Sequence, residues 1–412
     1  VGSEMCIRDR FLTCALLASH STSARTEQAK PSDILGLLEA SLTAGEGVPA
    51  RVLLERYLQA HPRTSRADEL EVLIDFYSGD YEAAAAGVQA LRERLGSKVN
   101  LGNLGDVIFE TYETTKNFET FTHENIEVRY APGEDEILVP YAVDALKAVG
   151  AALEAELGVK MVSPVRLEIY PNADALSRVS TLSVEAIRNT GTIALCKWGR
   201  LMIASPSALM HGYAWLDTIS HEYVHLLLSK ATLDQAPVWF QEGMAKFLET
   251  RWRHDEPNLQ HDPASARLLY EAAATDELLG FEQLHPSIAL LPSQKDATLA
   301  FAQVSSFMQT YYSEYGREGV QQALYLISEG EDAKRALAGV AGEPWRKLEQ
   351  RWKKKLEDLP KPAPARLLPR RLSGEATEQD ELAGVELDRA RNFLRLGDLL
   401  WTRSRPAAAT LE

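Results

Sequence analysis

From about Ile34 to Phe118 apolar residues recur at spacings of three and four, as in Ile34-Leu37-Leu38-Leu42, Val52-Leu53-Tyr57 and Leu70-Leu73-Ile74-Tyr77. That is the period of helices that each bury one face, and the short polar breaks between the runs predict a succession of separate helices. The period then changes. Ile126-Glu127-Val128-Arg129-Tyr130 and Val165-Arg166-Leu167-Glu168-Ile169-Tyr170 alternate residue by residue, which predicts two half-buried strands, with an amphipathic helix from Pro140 to Gly158 between them. Thr192-Ile193-Ala194-Leu195 and Leu201-Met202-Ile203-Ala204 flank Lys197-Trp198-Gly199-Arg200 and predict a hairpin, followed by a helix from about Tyr213 to Lys230. Helices dominate again from Pro237. A small sheet followed by helices predicts an α+β domain over about residues 116–360.

Composition narrows the classes without choosing among enzymes. The chain has 412 residues, 45% hydrophobic and 25% charged, enough for two or three globular domains. A net charge of -15 argues against nucleic-acid binding, which needs clustered Lys and Arg against phosphate. The basic run from Lys353 to Arg371 is broken by Pro360, Pro362, Pro364 and Pro369, so residues 361–374 read as a Pro/Arg-rich solvated linker. No apolar run approaches the roughly eighteen residues of a membrane-spanning helix. Val1 to Arg10 reads as translated adapter, and Phe11 to Ala24 as the remnant of a secretory leader with Thr22 and Ala24 at the cleavage site, so residues 1–24 are set apart from the fold. The expected location is therefore periplasmic or secreted. Cys6 and Cys14 fall in those segments, which leaves Cys196 alone and excludes an internal disulfide or a cysteine-based zinc site.

The chemistry is concentrated in His221-Glu222-Tyr223-Val224-His225, inside the apolar helical run Trp215, Leu216, Ile219, Leu226, Leu227. A spacing of four puts both imidazoles on one helix face, one turn apart, as two nitrogen ligands of a tetrahedral zinc require. Glu222 lies on the flank of that face, in reach of a metal-bound water rather than of the metal. A catalytic zinc site takes three protein ligands, so a third must follow. Downstream, Pro237 opens a second helical segment, Val238-Trp239-Phe240-Gln241-Glu242-Gly243-Met244-Ala245-Lys246-Phe247.

Trp239, Glu242, Gly243 and Ala245 match the pattern Trp-x-x-Glu-Gly-x-Ala, and with the histidine motif the chain from about residue 189 to 316 resembles the gluzincin metallopeptidases, in particular bacterial peptidase MA-like domains. The resemblance implies a thermolysin-like α+β catalytic domain and one zinc ion per chain held by His221, His225 and Glu242. It also implies hydrolysis of peptide bonds by a zinc-bound water with Glu222 as general base. Glu249 competes for the third-ligand role, being seven residues on and on the same helix face. Glu242 is preferred because Gly243 would allow close packing against the histidine helix. Where similar proteins place an aspartate that orients a histidine, this chain has Lys246, so the outer partners of the imidazoles are not assigned. Where similar domains place a tyrosine that stabilises the oxyanion, it has Phe301, which leaves Tyr312, Tyr311, Tyr315, Tyr213 and His211 as candidates.

The strand near Ile193 or Ile203 is expected to pair with an extended peptide substrate. The Gly-x-Met-Glu-Asn sequence of aminopeptidase relatives is missing, which points to an endopeptidase. On either side, residues 25–115 and 375–412 resemble tetratricopeptide-type helical repeats, at Tyr77-Ser78-Gly79-Asp80-Tyr81 and at Leu396-Gly397-Asp398-Leu399-Leu400, the second broken off within the motif. They are candidate docking surfaces for a protein partner. The competing reading is an exported, non-catalytic repeat protein whose zinc domain is structural or inactive.

Overall fold

A computed structural model describes residues 31–359, apart from 44–46, 97–98, 162–163, 185–186, 188–191, 210–211, 285–286 and 289–290. The leader-like segment, the Pro/Arg-rich linker, the C-terminal repeat-like segment and His211 lie outside the described residues. No helix among the described residues is long and apolar enough to cross a membrane.

The described residues fall into two compact units, one of residues 31–259 with Leu279–Trp352, the other of Gln260–Leu278 with residues 353–359. The second unit contributes a helix, Pro263–Ala274, capped by the Asp262 side chain on the amides of Ala264 and Ser265. The first unit opens with five helices in the region of three-four periodicity: α1 (Pro31–Thr43), α2 (Gly47–Ala60), α3 (Ser65–Ser78), α4 (Tyr81–Leu95) and α5 (Leu104–Thr115). The junction read from Tyr77 to Tyr81 is a tight helix–helix turn. Gly79 closes α3 in the left-handed conformation at φ 83°, and Asp80 then caps α4 by accepting from the Ala83 amide.

The sheet follows, with β1 (Glu119–His123), β2 (Ile126–Tyr130), α6 (Val139–Leu157), β3 (Val165–Tyr170), a short α7 (Ala173–Arg178), β4 (Ala194–Lys197) and β5 (Arg200–Ala204). Its five strands lie in the order β1-β2-β3-β5-β4, parallel at β2–β3 and β3–β5 and antiparallel at both outer pairs. The hairpin β4–β5 turns at Trp198 and Gly199, both at positive φ, the conformation that two-residue hairpin turns need. The fold is α+β, as the pattern predicts. One expectation is corrected: β3 is buried along its whole length rather than half-buried.

Alternation within β3 puts Arg166, Glu168 and Tyr170 on one face and Leu167 and Ile169 on the other, and the charged face is covered by the α3–α4 turn. Glu168 accepts from the hydroxyls of Tyr81 and Tyr170 and pairs with Arg200 at 3.1 Å. The Arg200 guanidinium lies against the rings of Phe76, Tyr81 and Trp198, while Arg166 donates to the Ser78 carbonyl and pairs with Glu127. Burial alone would raise the Glu168 pKa, yet Arg200, Arg129 and the two tyrosine hydroxyls hold it below the usual range. Arg200→Met should therefore destabilise by about 3–5 kcal/mol, because it removes the paired countercharge of a fully buried carboxylate. Urea unfolding measures this, and Arg200→Met/Glu168→Met should recover much of the loss; an undiminished loss in the double variant would refute the assignment.

The apolar face of the sheet meets α6 and the helix that carries the histidine motif, α8 (Trp215–Thr232). After it come α9 (Val238–Leu248), the long α11 (Gln294–Ser328, kinked at Gly316), α12 (Ala333–Ala341) and α13 (Trp345–Glu357), with α10 denoting Pro263–Ala274.

Candidate metal centre

Helix α8 is buried around most of its circumference, with Ile219, Ser220 and every residue from Glu222 to Leu228 inside. It ends at Leu233, in the left-handed conformation at φ 50°, and the chain turns through Pro237 into α9. Two features fix α9. Trp239 stacks in an aromatic cluster, 4.9 Å from Phe281, 5.8 Å from Trp345 and 6.2 Å from Phe307 between ring centres. Gly243 lets α9 approach α11 so closely that a Cβ would lie 2.9 Å from the Val304 carbonyl oxygen. The close approach expected of Gly243 is thus made to α11 and not to the histidine helix. The Trp-x-x-Glu-Gly pattern is in this way a packing pattern that presents Glu242 to α8.

His221, His225 and Glu242 come together, with one ligand atom from each lying within 4.8 Å of the others. Glu242 Oε2 is 3.5 Å from His221 Nε2 and 3.6 Å from His225 Nε2, long for hydrogen bonds. Bonds of about 2.0–2.1 Å to a tetrahedral zinc would place such ligand atoms about 3.3 Å apart. His225 Nε2 is buried without a hydrogen-bond partner, and so is Glu222 Oε2. Orphaned polar atoms of this kind are costly, and a cation among these donors would satisfy the imidazole. The donor set of two neutral-capable imidazoles and a carboxylate fits zinc.

The electrostatics agree. Burial alone would lower the pKa of His221, but the carboxylates of Glu242 and Glu249 hold it up at about 10, and His225 is raised by Glu242 against the same burial effect. Glu242 is pulled down to about 2 by the two imidazoles against the effect of its burial. The cluster is built to hold positive charge, for which protons and a metal ion compete. Burial raises the Glu222 pKa, partly offset by the two histidines and by the Cys196 amide, which donates to its carboxylate.

The outer partners not assigned from the sequence are present. Glu249 Oε2 lies 3.4 Å from His221 Nδ1, and its other oxygen accepts from Lys246 at 2.5 Å. Gln241 Oε1 lies 3.4 Å from His225 Nδ1 while its amide donates to the Ala236 carbonyl at 2.8 Å. Each imidazole therefore turns Nε2 towards Glu242 and Nδ1 towards a side-chain oxygen. A signal for Glu249 existed in its spacing, seven residues beyond Glu242 on the same face; Gln241 is recognisable only once α9 is placed.

All four described candidate oxyanion donors have partners elsewhere: Tyr312 donates to Glu156, Tyr311 to the Leu337 carbonyl, Tyr315 to Glu343 and Tyr213 to the Ala204 carbonyl. Of these, Tyr213 is the one whose pKa is pushed up by burial and then by Glu222 and Asp135. Of the two strands considered for peptide pairing, β5 is enclosed between β3 and β4, which leaves β4 as the edge.

A family model described as the peptidase MA superfamily matches residues 144–358, just over half of the 412-residue chain. The chain belongs to the peptidase MA superfamily. No curated protein matches it. The peptidase MA match runs from within α6 through α13 and so takes in β4, β5, both helices of the site and all of His221, Glu222, His225 and Glu242. Membership makes this a metallopeptidase-like domain, and β1 and β2 lie ahead of the matched region.

Proposed function

We propose that the protein is a zinc-dependent endopeptidase in which His221, His225 and Glu242 hold one zinc ion and Glu222 is the general base. The observation that carries this reading is the convergence of both Nε2 atoms on one oxygen of Glu242, at 3.5 and 3.6 Å, with a buried unpartnered oxygen of Glu222 on the next residue of the same helix. Zinc, when bound, acidifies a water and polarises a carbonyl oxygen. Glu222 takes the proton of the attacking water and delivers it to the departing amide nitrogen, a task for which burial suits it by moving its pKa towards neutrality. The Cys196 amide on β4 holds the carboxylate in place. Pairing of an extended peptide with the β4 edge brings a scissile bond alongside Glu222 without reading its side chains. No acidic side chain on β4 is available for a free substrate amine, which favours internal cleavage.

The test combines metal analysis with digestion of an unfolded protein. Wild type should carry one equivalent of zinc and release internal fragments, and His221→Ala or His225→Ala should abolish both. One full equivalent retained in either variant shows that the ligand set is wrong, and release of single amino acids from the N-terminus would reject the endopeptidase reading.

A further inference from the structure

Residues 217, 221 and 225 lie at intervals of four along one face of α8, and each meets a partner from α9 or its exit. His225 faces Gln241, His221 faces Glu249, and Asp217 faces Arg253 and Trp252. The partners run in the opposite direction along the chain, so the three contacts are rungs of one antiparallel ladder. The outermost rung is also the most complete. Arg253 donates to both oxygens of Asp217, Nε to Oδ1 at 3.0 Å and Nη2 to Oδ2 at 2.7 Å, and the Trp252 indole adds a third bond to Oδ1 at 3.1 Å. Forked guanidinium–carboxylate pairing of this kind fixes direction as well as distance. On the other side of the same segment, Arg251 donates to Glu156 in the last turn of α6 at 2.8 Å, and Glu156 is itself held by Tyr312 and Arg317 of α11.

We propose that Asp217 is a positioning residue of the metal centre, acting through Arg253 and Trp252 to hold the exit of α9 on α8 so that Glu249 stays on Nδ1 of His221. The inference rests on the metal-binding reading of the site. Glu249 ends α9, where helical hydrogen bonding gives out, and its distance to His221 is set by how the next four residues are anchored. Arg251 ties them to α6, and the Asp217 rung ties them to the helix that carries the imidazole. Loss of that rung frees Glu249 to move relative to His221, and an imidazole that loses its Nδ1 acceptor loses both orientation and basicity towards a metal.

The experiment measures zinc affinity of the full chain by competition with a chelator for wild type, Asp217→Asn, Arg253→Met and the double variant, with thermal unfolding of the metal-free proteins alongside. Arg253→Met is needed because Asp217 also sits in the first turn of α8, where a carboxylate favours the helix by itself. Each single variant should weaken zinc binding by about 3- to 10-fold, less than the direct loss of an outer partner. The double variant should be no worse than either single one, the mark of residues acting as a pair. Metal-free unfolding temperatures should stay close to wild type. Unchanged affinity, additive losses, or a fall in metal-free stability with affinity intact would each overturn the inference. A wild-type chain that takes up no zinc would instead overturn the metal reading, and is seen before any variant is made.

Discussion

Glu222→Gln is expected to keep a full equivalent of zinc and to lose peptide hydrolysis by about 10²- to 10⁴-fold, the usual contribution of a positioned general base. Glu222 stands outside the group of His221, His225 and Glu242 whose ligand atoms converge, so its charge is not needed to complete the donor set. Glutamine has the same shape, and its carbonyl oxygen can still accept from the Cys196 amide that now bonds the carboxylate. What it lacks is the ability to take a proton. The oxygen concerned is buried and has no hydrogen-bond partner, so the substitution breaks no bond that the fold depends on. Rates compared at equal zinc content, with metal measured on the same samples, isolate this effect. Loss of zinc together with activity would mean that Glu222 is a ligand or a structural residue, and the proton-transfer role would fall.

The parts of this site that were legible in the sequence are those written in local spacing. Two histidines four apart on an apolar helix state their own geometry, and Trp239, Glu242 and Gly243 stand close together on one helix whose packing they determine. Elements whose character depends on distant partners were misread or missed. Arg166 and Glu168 made β3 look half-exposed, but each charge is matched by groups on α3, α4 and β5 that no local pattern reveals. Strand β1 carries no local signal because four of its five residues are exposed, so it lacks apolar alternation and is placed by its pairing with β2. Gly243 reads as a close-approach residue from the sequence, but its neighbour is α11 rather than α8, since glycine shows that something comes near without saying what. Tyr312 shared a helical face with the expected donor position, but the Glu156 carboxylate that takes its hydroxyl comes from α6, far away in sequence.

The choice between Glu242 and Glu249 turns on the same kind of long-range placement, and it yields the other large effect. Both project from one face of α9 and its end, but seven residues of helix span about 10 Å, too far for both carboxylates to reach one ion at about 2 Å. The structure separates their surroundings. Glu242 lies opposite Nε2 of both imidazoles, whereas Glu249 lies on Nδ1 of His221 and is shared with Lys246. A carboxylate on Nδ1 leaves Nε2 to act as the donor, on the side where Glu242 lies. Glu242→Ala should therefore weaken zinc binding by several orders of magnitude, because two ligands remain where three were needed. Glu249→Ala should weaken it by about 10- to 100-fold, the range of a residue that orients a ligand without touching the metal. Glu249→Gln, which keeps an acceptor for Nδ1 but gives up the charge, should fall between Glu249→Ala and wild type. Chelator competition on the three variants ranks them directly. A larger loss in Glu249→Ala than in Glu242→Ala would place the third ligand at the end of α9 and make Glu242 the residue that merely supports the imidazoles.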